Sequence, residues 1–350
     1  MNDYDFLNAR IKGMSTTLLT PQFYDQILAV EGTDALVDAL LNSGYGPSLR
    51  ETISAGPSLD AVEAGLRHTL CKTFRKVLAL APEGPRRLLQ IQLRYWDVLN
   101  ILTICRGQVK KSSTEDMMAG LFPAGELNEP RLVELASQSD LVTLADTLCT
   151  WDFPFAFPLR KSLQHQNGSE ALLAVETVLA CEYFAWARSE TSGPDENQML
   201  LRTHIQCQID LVNIMSALRY IRHKTRDEHV EPVSWLTQGR LTQSWLERLQ
   251  HCPDLDRALE MLAGTYFAPA IERGILAFGE HRRLGLMERF LECVVLARGC
   301  RLFRADPLGI GVAAGFLWRV FNEFLNLRIL LRGKAYARPS PAIREELLIV

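Results

Sequence analysis

The chain has 350 residues, 47% of them hydrophobic and 23% charged, which is ordinary for a soluble globular protein. A net charge of −3 and a pI near 6.2 give no reason to expect a nucleic-acid partner, although both figures are compatible with a local basic patch. The longest uncharged run, Pro307–Trp318, has 12 residues, well short of the about 20 that a membrane-crossing helix needs.

The opening "MNDYDFLNAR" is acidic and lacks an apolar core, so it does not read as a secretory signal. Helical periodicity then runs almost throughout. In Ser58–Ala81, residues Leu59, Val62, Leu66, Leu70, Phe74, Val77, Leu78 and Ala81 recur at three-and-four spacing, as one buried helix face requires. Ser58 is the expected N-cap. Asp60 and Glu63 near the start, with Lys72, Arg75 and Lys76 near the end, suit the helix dipole. "PEGP" at Pro82–Pro85 predicts a stop. The segment from Arg86 to Lys111 has no breaker before Gly107 and predicts a helix of about 26 residues. Breaks are expected at Gly44–Pro57, Phe122–Pro130, His165–Ser169, Ser192–Glu196, Arg226–Pro232 and Ala305–Gly311. Strand-like alternation is not found, and the predicted fold class is all-α.

Four of these helices carry an acid and an asparagine three residues apart among apolar neighbours: Asp5 and Asn8, Asp97 and Asn100, Asp210 and Asn213, Glu323 and Asn326. The last three copies are each 113 residues apart (210 − 97 and 323 − 210), and the first precedes Asp97 by 92. Downstream text repeats too. Leu19–Tyr45, Leu127–Trp151 and Leu241–Tyr266 each begin with Leu and a small capping residue, form a helix, turn at a polar stretch, form a second helix and end on an aromatic. Three related modules follow, at about 1–96, 97–209 and 210–322, with a closing helical segment at 323–350. Each module must bury its apolar faces against its neighbours. An acid and an asparagine at i and i+3 share one helix face, and once buried they need partners. On the packing reading they hydrogen-bond between modules and fix their register.

Six residues past each asparagine come Arg106, Arg219 and Arg332, followed by Lys110–Lys111, Arg222–Lys224 and Lys334. One reading is charge placed at helix C-termini, favourable by a few tenths of a kcal/mol each. The other is a rim of positive charge that meets an acidic partner or lipid headgroups.

Enzyme signals are missing. There is no GxxxxGK[ST], HExxH or GxSxG, and Arg332-Gly333-Lys334 is followed by Ala335 at a helix end. The closest histidines, His223 and His229, lie six apart in a charged stretch and read as solvated. Eight cysteines, none closer than seven residues, make no CxxC and read as buried free thiols. No catalytic residue, cofactor or metal is expected. A helical-repeat interaction scaffold is the rival class, but repeats of the armadillo or tetratricopeptide kind have periods of about 34–47 residues. An all-α enzyme with an Asp-rich metal site, as in prenyl-chain synthases, would need a DDxxD-like cluster, and these aspartates are spread one per module.

The opening "YDFLNARIKGM", the recurrent acid-x-x-Asn helices and the ending "NEFLNLRILLRGKAYARPSPAIREEL" resemble the C subunit of the bacterial and archaeal V-type (A-type) ATPases, equivalent to the eukaryotic d subunit. The most specific matches are Asn326-Leu327-Arg328, Arg332-Gly333-Lys334, Pro341 and Ile343-Arg344, and the likeness runs from about residue 4 to 347. "DPLGIGVAAGFLWRV" departs from the Gly-Pro-rich turn of the family. The resemblance implies a funnel-shaped single domain of three pseudo-threefold helical modules. It implies a non-catalytic central-stalk (rotor) subunit on the cytoplasmic face of the membrane, a peripheral protein between the D- and F-type shaft subunits and the membrane proteolipid ring. It would transmit torque for proton or sodium transport or ATP synthesis. On that view the acid and asparagine residues could instead line a socket for the shaft. Arg10, Arg328 and Lys334 join Arg106, Arg219 and Arg332 as candidate partner-facing residues.

Overall fold

The computed structural model describes residues 3–54, 56, 58–164, 168–225, 233–281 and 284–349. Among them every regular element is a helix, as the periodicity predicts. In chain order the first nine are α1 (Asp5–Ser15), α2 (Pro21–Ala29), α3 (Asp34–Leu41), α4 (Gly46–Thr52), α5 (Leu59–Leu80), α6 (Glu83–Val109), α7 (Thr114–Ala119), α8 (Glu129–Ala136) and α9 (Leu141–Thr150). The rest are α10 (Ala156–Ser162), α11 (Gly168–Glu190), α12 (Glu196–Lys224), α13 (Gln243–Gln250), α14 (Leu255–Ala263), α15 (Ala268–His281), α16 (Leu284–Ala305), α17 (Gly311–Ala335) and α18 (Ser340–Glu346). The chain divides into two units, Met1–Ala185 with Phe303–Val350, and Trp186–Leu302.

In the first unit α5 follows its sequence pattern closely. Ser58 Oγ accepts the Ala61 N–H at 3.2 Å, and Val62, Leu66, Leu70, Phe74 and Val77 are buried. Leu59 and Leu78 lie at the edge of that stripe, half-buried. The expected stop at Pro82–Pro85 is narrower than the sequence suggested, because α6 already begins at Glu83. Pro85 falls in the first turn, where a helix needs no N–H from it. Gly107 lies inside α6, as the length of the predicted helix requires, and a methyl group there would collide with the Met117 side chain of α7. The break at Gly44–Pro57 contains α4, which Pro47 in its first turn tolerates. The expected breaks His165–Ser169 and Arg226–Pro232 fall at or across residues outside the described set, as does His229.

The core of this unit joins α5, α6 and α17 through an aromatic chain. Trp96 on α6 lies 5.0 Å from Phe74, 5.2 Å from Trp318 and 5.4 Å from Phe321, centroid to centroid. Phe122, in the segment after α7, extends the chain to Phe324 at 5.2 Å. Such pairs add about 0.5–1.5 kcal/mol each beyond burial. Gly315 lets α17 approach the Phe303 backbone at the end of α16, a contact any side chain would block.

The second unit packs α12 to α16 around Ile214, Leu218, Leu249, Leu262, Phe267, Met287 and Leu291, all buried. Its helix pair α13 and α14, like α2 with α3 and α8 with α9 in the first unit, follows the repeated text. Thr242 and Asn128 cap α13 and α8 through their side chains. Asp254 and Asp140 cap α14 and α9. These caps satisfy helix N–H groups that have no intrahelical acceptor.

All eight cysteines are free, and Cys71, Cys105, Cys207, Cys252, Cys293 and Cys300 are buried. Cys181 is exposed, against the expectation from its apolar neighbours. Two positions past the buried Leu179 it sits on the opposite side of α11, where a helix of 3.6 residues per turn places it.

Candidate functional site

The acid and asparagine residues are bound to loops by a geometry repeated three times. On α6, Asp97 Oδ2 accepts the Glu126 N–H at 2.8 Å and Oδ1 accepts the Leu127 N–H at 3.2 Å. One turn further, Asn100 Nδ2 donates to the Phe122 carbonyl at 2.7 Å and its Oδ1 accepts the Phe122 N–H at 2.8 Å. The two side chains thereby hold the segment 122–127 that leads into α8. On α12, Asp210 Oδ2 accepts the Arg240 N–H at 3.0 Å and Oδ1 accepts the Leu241 N–H at 3.1 Å. Asn213 exchanges the same pair of bonds with Leu236, both at 2.9 Å.

The third instance is on α17. Glu323 Oε2 accepts the Leu19 N–H at 2.5 Å, and Asn326 exchanges bonds of 2.9 and 3.0 Å with Leu348. Leu19, Leu127 and Leu241 are the first residues of the three repeated helix pairs. Each acid therefore anchors the start of one pair. Aromatic residues at the pair ends add to two of the anchors: Tyr45 O–H donates to Glu323 Oε1 at 2.8 Å, and Tyr266 O–H to Asp210 Oδ2 at 2.7 Å. The third pair end is Trp151, whose ring instead carries the Arg131 guanidinium at 5.1 Å.

The bonds of Asp97 and Asp210 close within the segments 97–209 and 210–322, whereas those of Glu323 tie the chain's last long helix to its first helix pair. The N-terminal copy differs. Asp5 is exposed, and among the described residues buried Asn8 makes one arm only, its Nδ2 donating to the Gly309 carbonyl at 3.0 Å. The Gly309 N–H goes to Asp306 Oδ1 at 2.9 Å instead.

Asp97, Asp210 and Glu323 are all buried. Burial pushes the Asp97 carboxyl up to about 7 against the opposing pull of the Glu126 and Leu127 N–H groups. Burial pushes Glu323 up to about 7 as well, against Leu19 and Tyr45. Asp210 is raised by burial, opposed first by Tyr266. The cost of burying these carboxyls is met by N–H and O–H donors aimed at them. His204 on α12 is buried; burial, then Arg298, lowers it to about 4, so it is neutral near pH 7.

The basic residues also repeat a geometry. Arg106 Nε donates to Glu176 Oε1 at 2.7 Å, and Arg219 Nη2 to Glu288 Oε1 at 2.7 Å. Arg332 meets Glu63 with two bonds, of 2.5 and 3.0 Å. The acids are spaced 113 and 112 residues apart (176 − 63 and 288 − 176), so the same period that exposed the arginines could have found their partners. Arg328 Nε lies 3.3 Å from Glu63 Oε2 and its guanidinium 5.5 Å from the Phe324 ring centroid. Lys334 is buried and donates to the Val30 carbonyl, and desolvation lowers its amine. Arg10 is exposed on α1.

Among the described residues no group of three or more His, Cys, Asp or Glu side chains is placed to hold a metal ion. No described helix is long and apolar enough to cross a membrane. What these residues do chemically is hold loops and pair charge.

The model of the ATP synthase (C/AC39) subunit family matches residues 7–346. The C subunit of the V-type ATP synthase of Deinococcus radiodurans is 28% identical over 346 residues, covering 99% of this chain and 91% of the relative. The C subunit of the A-type ATP synthase of Methanocaldococcus jannaschii is 22% identical, covering 99% and 86%. That of Methanococcoides burtonii is 24% identical, covering 99% and 95%.

Proposed function

The chain belongs to the ATP synthase (C/AC39) subunit family, and from that premise we propose that it is the coupling piece of the central stalk in a V/A-type rotary ATP synthase. It is a non-catalytic subunit of that complex. In this reading it sits as a peripheral protein on the cytoplasmic face of the membrane, takes the D- and F-type shaft subunits on one side and the proteolipid ring on the other, and passes torque between them. The observation that carries the reading is the match over residues 7–346, nearly end to end with relatives named as the C subunit.

The repeated tethers support it physically. A part that transmits torque must not let its loops slip, and each helix pair here is pinned at its first residue by a buried acid. We assign Asp97, Asn100, Asp210, Asn213, Glu323 and Asn326 to this internal work rather than to contact with the shaft. The test is affinity purification of the tagged chain from gently solubilised native membranes, with mass spectrometry of what it retains. Shaft subunits together with a small, very hydrophobic proteolipid are expected. Retention of soluble proteins alone would overturn the reading in favour of a helical scaffold.

A further inference from the structure

The three repeated ion pairs are not equivalent. At the Arg106 site one arginine faces one glutamate; at the Arg219 site Arg219 pairs with Glu288, and Glu292 one turn on is held by Arg289. At the Arg332 site three guanidiniums gather: Arg332 and Arg328 both face Glu63, and Arg67, one turn along α5, donates to the Met118 carbonyl at 2.8 Å. Positions equivalent to Arg328 hold Leu102 and Met215, and those equivalent to Arg67 hold Ala180 and Glu292. The fold accommodates these sites without the extra cations, so packing does not require them.

Arg328 is the unusual member. Its side chain is 21% exposed and rests against the Phe324 ring. Among the described residues its one carboxylate partner is Glu63, which Arg332 already holds with two bonds. Burial lowers the hold of Arg328 on its proton; Glu63 opposes this, while Arg332 and Arg67 add to it. Asp60, exposed on α5, attracts Arg332 more weakly. A recessed guanidinium with spare donors beside like charge is short of an anion.

We propose that Arg328, flanked by Arg332 and Arg67, is the docking point for a carboxylate side chain on an acidic segment of another protein subunit. The inference rests on the chain working within an assembly, as proposed above. A carboxylate fits better than a lipid surface. The planar fork of an arginine pairs bidentately with a carboxylate, and the excess charge is recessed at one of the three repeated sites. A plane of headgroups is met by exposed charge spread over many positions.

Two variants test it in the whole tagged chain, purified with its complex from native membranes. Arg328→Met installs the residue type found at position 215. At about 0.15 M salt it is expected to lower retention of a partner subunit about tenfold, while the isolated variant melts no lower than wild type. Arg328→Lys keeps the charge and supplies an amine. Treatment with a carbodiimide should join that amine to a partner Asp or Glu as an amide, the carbodiimide taking up the released water as a urea. A crosslinked peptide pairing position 328 with another subunit supports the proposal. Coupling to Glu63 alone, or equal retention by Arg328→Met at every salt concentration, overturns it. So does a loss confined to binding of anionic-lipid vesicles. Failure of the wild-type chain to retain any ATP synthase subunit would count instead against the function proposed above.

Discussion

Replacing Gly125 with alanine should damage the second helix-pair anchor out of proportion to one methyl group. A Cβ at Gly125 would lie on top of the Asp97 carboxyl group, against Oδ1, Cγ and Oδ2 together. Relief requires the carboxyl to withdraw from the Glu126 and Leu127 N–H groups that it accepts. Hydrogen bonds to a charged acceptor contribute about 1.5–3 kcal/mol each, and overpacking a filled site costs about 1–3 kcal/mol. Lower entropy of the unfolded chain returns about 0.4–1 kcal/mol. With the carboxyl partly withdrawn, the net loss is about 2–4 kcal/mol, read from the urea midpoint at unchanged slope. Gly13→Ala is the control: Gly13 is exposed in α1 with open space around it, so there the same change should be neutral or stabilising by up to about 1 kcal/mol. A double-mutant cycle with Asp97→Ala isolates the cause. Once the carboxyl is gone, alanine at 125 should cost little. An equal cost in both backgrounds, or a loss of less than about 0.5 kcal/mol in the wild type, would refute the crowding argument.

The other anchors carry their own expectations. Tyr266→Phe and Tyr45→Phe each remove an O–H donor from a buried carboxyl and should cost about 1–3 kcal/mol by denaturant unfolding. Asp97→Leu, Asp210→Leu and Glu323→Leu should each lower the melting temperature more than they weaken retention of partner subunits; near-normal melting with lost assembly would contradict the internal role. Glu323 is raised from its usual 4.5 to about 7, so the folded state holds the proton more tightly than the unfolded one. Its stabilising contribution is therefore full at low pH and is lost as pH rises toward about 7. The stability deficit of Glu323→Gln relative to wild type should accordingly shrink between about pH 4.5 and 7 and level off above, and a widening deficit would reverse the sign. Arg106→Ala breaks a half-exposed pair and should cost at most about 1 kcal/mol. Arg332→Ala leaves buried Glu63 with Arg328 alone and should cost more, about 1–3 kcal/mol.

Local chemistry in this chain is readable from the sequence because it depends on neighbours along the helix. The α5 stripe and its Ser58 cap follow from spacing alone. The repeated acid and asparagine could be located in the same way, but the groups they bind could not. Phe122, Leu236 and Leu348 lie 22 or 23 residues past their asparagines, in segments with no periodicity to fix their path. Glu323 reaches Leu19 across 304 residues, and Arg332 reaches Glu63 across 269. The helix running through Gly107 was legible, but that this glycine admits the Met117 side chain of α7 was not.

The glycines at the anchors explain why one copy departs from aspartate. Where the acid is Asp97 or Asp210, the residue just before the two tethered N–H groups is Gly125 or Gly239, and a methyl at either would strike the carboxylate. The short aspartate side chain reaches those N–H groups only if the backbone comes close, which a Cβ prevents. In the remaining copy the equivalent position, two before Leu19, is Thr17, and the acid is Glu323. The extra methylene of glutamate spans the additional distance, so the side chain at 17 can stay. Chain length at one end of the bond and a missing side chain at the other are thus alternative solutions to one geometric requirement. It follows that exchanging the pair is harder than exchanging either member in its own context. Glu323→Asp alone should leave the Leu19 N–H short of its acceptor, and adding Thr17→Gly should recover part of the loss. A double variant no more stable than Glu323→Asp by urea denaturation would show that the two positions are independent.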